Sequence, residues 1–523
     1  METGRVTETK GNRNRSQSPD RSKEKGAKGG ASSLSPQDQR AMILLVLLYL
    51  LQGIPVGLAF GSVPYLLRAK LSYSQIGIFS LASYPYSMKL LWSPIVDTWY
   101  SPRIGRRSSW VIPIQFIVGG MLWWLSNNVQ SMIDKEIPDV KQLTVVFFTL
   151  VFFAATQDIA VDGWALTLLS QDNLSYASTA QTIGLNTGYF LSFTVFLAFN
   201  SVEFSNRYFR TDAGQSEIPL LTLPAYLRGA AFGFFAVTTY LLFAKTHDPE
   251  ESSSEAMGVK KVYNVMYSIC RLKHVQSFLL VHLIAKLGTA TDNAATSLKL
   301  LEKGLQKEDL ALAVLLDFPF QLIFGYLAAK WSKGDKPLSP WVRAMWARLG
   351  FAVVSMLLVA YFPSTQPISF SFFLLIICST VFASFAQTVQ FVGISAFHTQ
   401  IADPVIGGTY MTLLNTVSNL GGTWPRYFVL QGIDYFTQAS CRLPSEDITL
   451  KSESHECVSE HGKATCSSVG GECVTDVDGY FIVSGFSIAI GIAILLFFIR
   501  PTSHRLHCEC LSRSSHPIAD LCL

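Results

Sequence analysis

Met42-Ile-Leu-Leu-Val-Leu-Leu-Tyr-Leu-Leu-Gln-Gly-Ile-Pro-Val-Gly-Leu-Ala-Phe-Gly-Ser62 is the first apolar run of the chain, and its reading decides the fold. It has no charge over 21 residues, the length a helix needs to cross about 30 Å of hydrocarbon. The segment before it, 1–40, is polar and holds nine Lys/Arg against five Asp/Glu. With no apolar face to bury, it reads as a disordered tail. It is too long and too charged to be the n-region of a cleaved leader, so the run from Met42 is expected to stay as a permanent span.

The same reading extends outward. Twelve candidate spans follow one another: 41–66, 75–98, 109–128, 142–168, 177–200, 222–244, 275–298, 309–331, 341–362, 369–397, 405–430 and 479–500. Only 15% of the 523 residues are charged, where a soluble domain carries about 25%. With 36 Phe and 10 Trp, this excludes a nucleic-acid-binding protein, a disordered scaffold and an ordinary cytosolic enzyme. The expected class is an all-α membrane protein of twelve transmembrane helices. Several spans are interrupted by Pro, Gly or a charge, which is tolerated only where neighbours re-satisfy the backbone. The spans are therefore expected to pack into one bundle around a polar interior.

An even number of crossings puts both tails on one side. The positive-inside rule makes that side cytosolic, chiefly through the basic N-terminal tail. The loop 431–478 lies on the other side and carries Cys441, Cys457, Cys466 and Cys473. Four cysteines in one polar loop point to two disulfides in any of three pairings, and so to an oxidising compartment. The sequons at Asn14 and Asn173 fall on the cytosolic side and are expected to be unused. In the tail 501–523, juxtamembrane Cys508, Cys510 and Cys522 are palmitoylation candidates. His504, His507, Cys508 and Cys510 are better read as a floppy tail than as a metal cluster, since no spacing fixes a geometry. No metal or cofactor is expected.

The domain organisation reads as a six-helix half, 41–244, a charged linker, 245–274, and a second six-helix half, 275–500. Within the linker, Val262–Leu272 has the pattern of a short helix lying on the membrane surface. Ala165 and Asp172 echo Ala396 and Asp403 at an offset of 231, as halves built by duplication do.

Buried charges are the functional candidates, because an ionisable group inside a span is costly. Lys89 sits in span two; Asp158 and Asp162 sit one turn apart in span four and share a face. They read either as a structural pair or as a proton- or phosphate-handling site. Span seven carries His282, Lys286 and Asp292, span eight Asp317, and span nine Arg343 and Arg348. Lys89, Lys286 and Arg348 are taken as the cations inside spans, with Lys286 the most central; the competing reading neutralises it with Asp317. Small and polar residues crowd spans five and eleven: Gly184, Asn186, Gly188, then Gly407, Gly408, Asn415, Ser418, Asn419, Gly421 and Gly422. They suit close helix packing and hinges, and the asparagines also suit ligand hydrogen bonds. Tyr84, Trp164, Tyr189 and Tyr410 are candidates to stack on a planar ring. His282 and His398 would serve as general bases in an acyltransferase, but no Gly-x-Ser-x-Gly, His-Glu-x-x-His or Gly-x-Gly-x-x-Gly pattern accompanies them.

Between spans two and three, Asp97 is followed by Arg103-Ile-Gly-Arg-Arg107. This resembles the loop motif of the major facilitator superfamily, a few residues longer than usual. The resemblance implies that Asp97, Arg103, Arg106 and Arg107 brace a gate; a plain positive-inside anchor is the alternative. Three blocks are more specific: Leu51-Gln-Gly-Ile-Pro-Val-Gly-Leu58, Gln157-Asp-Ile-Ala-Val-Asp-Gly-Trp-Ala-Leu-Thr-Leu-Leu-Ser170, and Asp403-Pro-Val-Ile-Gly-Gly-Thr-Tyr-Met-Thr-Leu-Leu-Asn-Thr-Val-Ser-Asn-Leu-Gly-Gly422. They closely resemble the acetyl-coenzyme A transporters of the endoplasmic reticulum membrane, solute carrier family 33, over most of 41–500. Bacterial muropeptide permeases resemble the chain more distantly.

That resemblance implies a twelve-helix major facilitator fold and a non-enzymatic carrier. Its substrate would be acetyl-CoA, taken from cytosol to lumen, where it supports protein acetylation. The partners implied are that substrate and the lipid bilayer, with no nucleic acid; the oligomeric state is not implied. CoA carries several phosphate charges, so fixed cations along the route are required. Lys89, Lys286, Arg348, Asn186, Asn415, Asn419, Tyr189 and Tyr410 are the substrate-binding candidates. Asp97, Arg103, Arg106, Arg107, Asp158, Asp162, Asp292 and Asp317 are the gate and coupling candidates. No phosphate loop is present to hydrolyse ATP, so a gradient or an exchange must drive transport. Rival readings are a carrier of another anion, such as a glutathione species, a nucleotide sugar or a muropeptide-like compound, and a membrane acyltransferase.

Overall fold

The computed structural model describes residues 35–505, except 136–137, 171–172, 174–175, 211–215, 244–258, 332–337, 364–367, 402–406 and 443–456 and the single positions 69, 102, 459 and 469. The tail cysteines, both Asp172 and Asp403 of the internal echo, and Asn14 lie outside the described residues.

Besides shorter helices at Val202–Phe209, Val259–Cys270 and Glu460–Ser468, twelve long helical rods run through the described residues. In the first half they are α1 (Pro36–Arg68), α2 (73–98), α3 (Ser108–Ile133), α4 (Val140–Leu168), α5 (176–199) and α6 (Leu223–Phe243). In the second half they are α7 (273–302), α8 (Lys307–Trp331), α9 (Leu338–Ala360), α10 (Phe370–Ile401), α11 (Gly407–Phe436) and α12 (Gly479–Arg505). Eight are long and apolar enough to cross a membrane by length and composition alone. The other four, α2, α7, α8 and α11, are broken or carry polar residues. Phe232, Phe391, Phe486 and Phe497 stand exposed on the outer surface, as expected of side chains facing lipid rather than water.

Local chemistry sets the breaks. Ser35 caps α1 by accepting from the Asp38 N–H at 3.1 Å, with Pro36 in the first turn. Pro55 lacks an N–H, and α1 continues past it through a π turn at Leu58–Ser62. Ser72 and Gln75 form a reciprocal capping box at the start of α2. That rod then loosens into 3-10 turns at Leu81–Ser83 and Lys89–Leu91, next to Pro85 and Pro94.

Within each half the rods pack in pairs, α1 along α5, α3 along α6, and α9 and α8 on α10. α1 and α5 meet at Gly53 and Gly188; a Cβ at 188 would overlap the Leu50 carbonyl and lie 2.8 Å from the Gly53 Cα. Across the halves, α2 packs on α11 and the end of α5 on α8. The apolar core shows how the halves meet. At the face opposite the chain termini one cluster runs through both, from Leu67, Leu71 and Val129 to Leu300, Ile433 and Tyr480. Toward the termini it divides into two clusters, one centred on Leu45, Val161 and Trp164, the other on Phe278, Met345 and Leu495. The halves thus share one apolar cluster at the first face, while toward the termini each has its own, bridged by Leu90, which packs into the second-half cluster.

The linker forms a helix at Val259–Cys270, which buries Ile269 and packs against the end of α2 and against α11. The loop before α12 is a small unit of its own. Strand β1 (Gln438–Arg442) pairs antiparallel with β2 (Glu472–Val477), with Cys441 opposite Cys473. Disulfides join Cys441 to Cys466 and Cys457 to Cys473.

Candidate functional site

At the face carrying the termini, the Arg107 guanidinium donates to Asp97 Oδ1 at 2.6 Å, and Arg106 Nε to the Asp97 carbonyl at 2.8 Å. Gly105 takes φ 102°, the left-handed turn that brings both arginines back over the end of α2. Arg107 lies flat against α4 at Gly163, where any Cβ would overlap its guanidinium. The glycine of the Asp-Gly-Trp triplet therefore makes room for this arginine. Arg103 is exposed.

One level deeper, the first half holds a compact charge cluster. Lys89 bonds directly to Asp158, which is fully buried, and lies 3.6 Å from Asp162. Tyr49 and Gln181 donate to Asp162 at 2.8 and 2.9 Å, and the Lys89 ammonium sits 5.5 Å from the Tyr86 ring centre. One cation thus serves two carboxylates from the adjacent helix. Trp164 is 1% exposed and belongs to the packed core rather than to any wet surface. The Tyr84 hydroxyl lies 3.4 Å from the Trp424 carbonyl.

The second half is arranged in the opposite way. Lys286 Nζ donates to the Ser418 carbonyl at 2.7 Å. Asp317 is turned to Gln321, which donates to it at 2.7 Å, so it does not neutralise Lys286. Arg348 donates to Asn293 Oδ1 at 2.8 Å and to Gln390 Oε1 at 3.4 Å. Asp292 accepts from Thr296 at 3.1 Å. A third cation, Arg426 on α11, is not among the candidates read from the sequence; its Nε is buried without a hydrogen-bond partner among the described residues. Among the described residues, none of these three cations has a carboxylate within 4 Å. Arg343 is exposed near the start of α9. Asn186, Asn415 and Asn419 are exposed on α5 and α11; the Tyr410 side chain lies outside the described residues.

His282 and His398 are buried and bond to each other, Nε2 to Nε2 at 2.9 Å, while His398 Nδ1 lies 3.1 Å from Asn415 Oδ1. An amide oxygen only accepts, so His398 donates from Nδ1 and accepts at Nε2 from His282. His398 uses both ring nitrogens in this chain of bonds and His282 its Nε2.

The opposite face is locked by polar contacts between the halves. Glu302 at the end of α7 accepts from Arg68 Nη2 and from the Tyr73 hydroxyl, each at 2.7 Å. Lys299 bridges Glu302 at 3.1 Å and Asp478 at 2.7 Å. Asp434 accepts from the Ser74 N–H at 2.5 Å, and Gln431 donates to the Ser74 carbonyl at 2.9 Å. Residues ending α1, α7 and α11 here meet residues beginning α2 and α12, the pattern of rods that alternate in direction.

The face opposite the termini is thus closed by polar contacts between the halves, while Lys286 and Arg348 in the second half rest on neutral oxygens rather than on a direct carboxylate contact. A family description, acetyl-coenzyme A transporter 1, matches residues 41–253, 245–338 and 334–514. The chain belongs to this family. A membrane protein of Saccharomyces cerevisiae is 40% identical over 566 aligned residues, covering 93% of this chain and 98% of that one. A Schizosaccharomyces pombe protein is 40% identical over 478, covering 91% and 89%. The anhydromuropeptide permease of Escherichia coli is 26% identical over 157 residues, 30% of each chain. Among solved structures, a bacterial homologue of the human lysosomal transporter Spinster, inward-facing and unoccupied, has a TM-score of 0.61 at 13% identity, covering 90% of this chain and 98% of its own. The D-xylose–proton symporter gives 0.54 at 13%, covering 88% and 97%. These likenesses establish the fold: the transporter is a multi-pass membrane protein of the major facilitator type.

Proposed function

We propose that the transporter carries acetyl-CoA from the cytosol into the lumen of the endoplasmic reticulum by alternating access, the two halves rocking about a central site. The observation that carries this reading is the trio Lys286, Arg348 and Arg426, three interior cations with no carboxylate within 4 Å among the described residues, although Asp292 acts on Arg348 from further off. A guanidinium or ammonium held in low dielectric without a counter-ion is costly, and an anionic substrate supplies what is missing. Substrate and cations then bias the equilibrium by binding one arrangement of the halves better than the other.

In this reading Lys286 and Arg348 meet phosphate, while Asn186, Asn415, Asn419 and Tyr410 offer hydrogen bonds. Lys89 with Asp158 and Asp162 braces the first half, and Asp292 and Asp317 belong to coupling. Asp97, Arg103, Arg106 and Arg107 brace the face that carries the termini. The basic N-terminal tail favours cytosolic termini, and the two disulfides of 438–477 favour an oxidising compartment on the other side. His398 spends both ring nitrogens on Asn415 and His282, which favours carriage over acyl transfer by that ring.

Purified protein in liposomes is expected to accumulate intact labelled acetyl-CoA, with competition by CoA stronger than by ATP or glutathione disulfide. Stronger competition by glutathione disulfide would reassign the substrate within the same cation-lined route. Release of free CoA only when an acceptor is added would replace carriage by catalysis.

A further inference from the structure

Among the described residues, the charge cluster of the first half holds one carboxylate more than it has cations. Lys89 neutralises Asp158 by direct contact, and its ammonium stays 3.6 Å from Asp162. Asp162 is held instead by two neutral donors, Tyr49 from α1 and Gln181 from α5. Tyr86 on α2 turns its ring to Lys89, and Arg107, which reaches α4 at Gly163, is paired with Asp97. Bracing the half therefore uses only one of the two carboxylates. The Asp158 side chain has no exposed surface, whereas that of Asp162 is 40% exposed. A charged group with that much surface faces water rather than hydrocarbon. The cluster also adjoins the seam between the halves. The turn Lys89–Leu91 packs on α11, and two residues before it Ser87 bonds Thr423 at 2.6 Å. Thr423 follows Gly422, where a Cβ would lie 3.4 Å from Lys286 Nζ.

A carboxylate with no cation of its own is held charged by hydrogen bonds alone, and it repels an anion entering the same interior. We propose that Asp162 is a proton-binding site, loaded from water at the face carrying the termini, and that its proton and a phosphate-bearing substrate favour each other. The proton adds to an Asp162 carboxylate oxygen, giving a neutral carboxyl group whose other oxygen still accepts from Tyr49 or Gln181, and the Lys89–Asp158 pair is left intact. The cluster then goes from a net charge of −1, two carboxylates against one ammonium, to zero. The contact of α2 with α11 puts this change of charge beside the helix whose Ser418 carbonyl holds Lys286. Linkage is reciprocal: a proton that tightens the substrate is itself tightened by it. The coupling rests on the proposed function in taking the substrate to be anionic, whereas the proton site does not depend on it.

One arm of the test needs no ligand. Infrared difference spectra of the purified protein between neutral and mildly acidic pH should contain the carbonyl stretch of a protonated carboxyl group, and Asp162→Asn should lose that band. Dicyclohexylcarbodiimide, which reacts with protonated carboxyl groups, should label Asp162 in the wild type, so the site stays testable should Asp162→Asn not fold, as its melting temperature reports. The other arm is calorimetry with acetyl-CoA in buffers of different ionisation enthalpy. Wild type should take up as much as about one proton more per ligand than Asp162→Asn, the titration of the ligand's own phosphates being common to both. Its affinity should weaken with rising pH by up to about tenfold per unit, the limit for one linked proton, and the variant should lack that part of the dependence. Asp162→Glu, which keeps a carboxyl group, should restore the proton uptake, a rescue that a merely structural acid would not show. A band that survives in Asp162→Asn, or a wild type in which Asp162 is never labelled, would overturn the site. Equal proton counts in wild type and Asp162→Asn would overturn the coupling. A protein that loads the proton yet binds no acetyl-CoA would sink the proposed substrate and leave the proton site standing.

Discussion

Glu302→Ala should open the locked face. Glu302 is a second-half residue holding two first-half groups, Arg68 and Tyr73, each at 2.7 Å. Its bond to Lys299 lies within one half and does not resist separation. A hydrogen bond to a charged group contributes about 1.5–3 kcal/mol. The Glu302 side chain is 32% exposed, against 9% for Arg68, so solvent screening cuts each contribution. Together the two bonds stabilise closure by about 2 kcal/mol, which corresponds to a shift of about 30-fold in the ratio of open to closed. The readout is a cysteine at Ser297, on α7 below the lock, in a background where the unpaired cysteines are serine. An impermeant maleimide added on the side of loop 431–478 should label it about 30-fold faster in Glu302→Ala than in the parent. Lys299→Gln, which removes bonds inside the second half, should change the rate far less. Equal labelling in a folded Glu302→Ala protein would show that the apolar core, not the ion pair, holds this face shut.

Lys89→Met should lower the melting temperature sharply, a loss of about 3–5 kcal/mol from leaving fully buried Asp158 unpaired, and adding Asp158→Asn should recover much of it; a single variant as stable as the parent would refute the pairing. Lys286→Ala should abolish acetyl-CoA uptake while the protein still elutes as a folded species, since its one bond is to a carbonyl; unchanged uptake kinetics would remove Lys286 from the route. Gly188→Leu should prevent assembly of the first half, because α5 cannot then approach α1 at Gly53; normal expression and melting would contradict the close approach.

The span segments were legible because hydropathy is local: a window of 20 residues contains all the information needed to say that Met42–Ser62 leaves water. The loop of Asp97 and Arg107 was legible for a similar reason, since its partners lie ten residues apart. The two carboxylates near Lys89 were visible as one helical face, although not which of them Lys89 would touch. Arg426 was missed outright, hidden in a span read for its glycines and asparagines. The lock of Arg68 and Glu302 joins residues 234 apart, and nothing in either neighbourhood announces the other.

The order of apolar segments, the cysteine-bearing loop and the family blocks are properties of the linear chain, and the sequence alone determined them. Which buried charges are neutralised is decided elsewhere. Lys286 and Asp317 are equally plausible partners in one dimension, yet Asp317 accepts from Gln321 one turn along its own helix, and Lys286 ends on a backbone carbonyl. Pairing in a low-dielectric interior depends on a few ångströms between helices distant in sequence, and packing sets those distances.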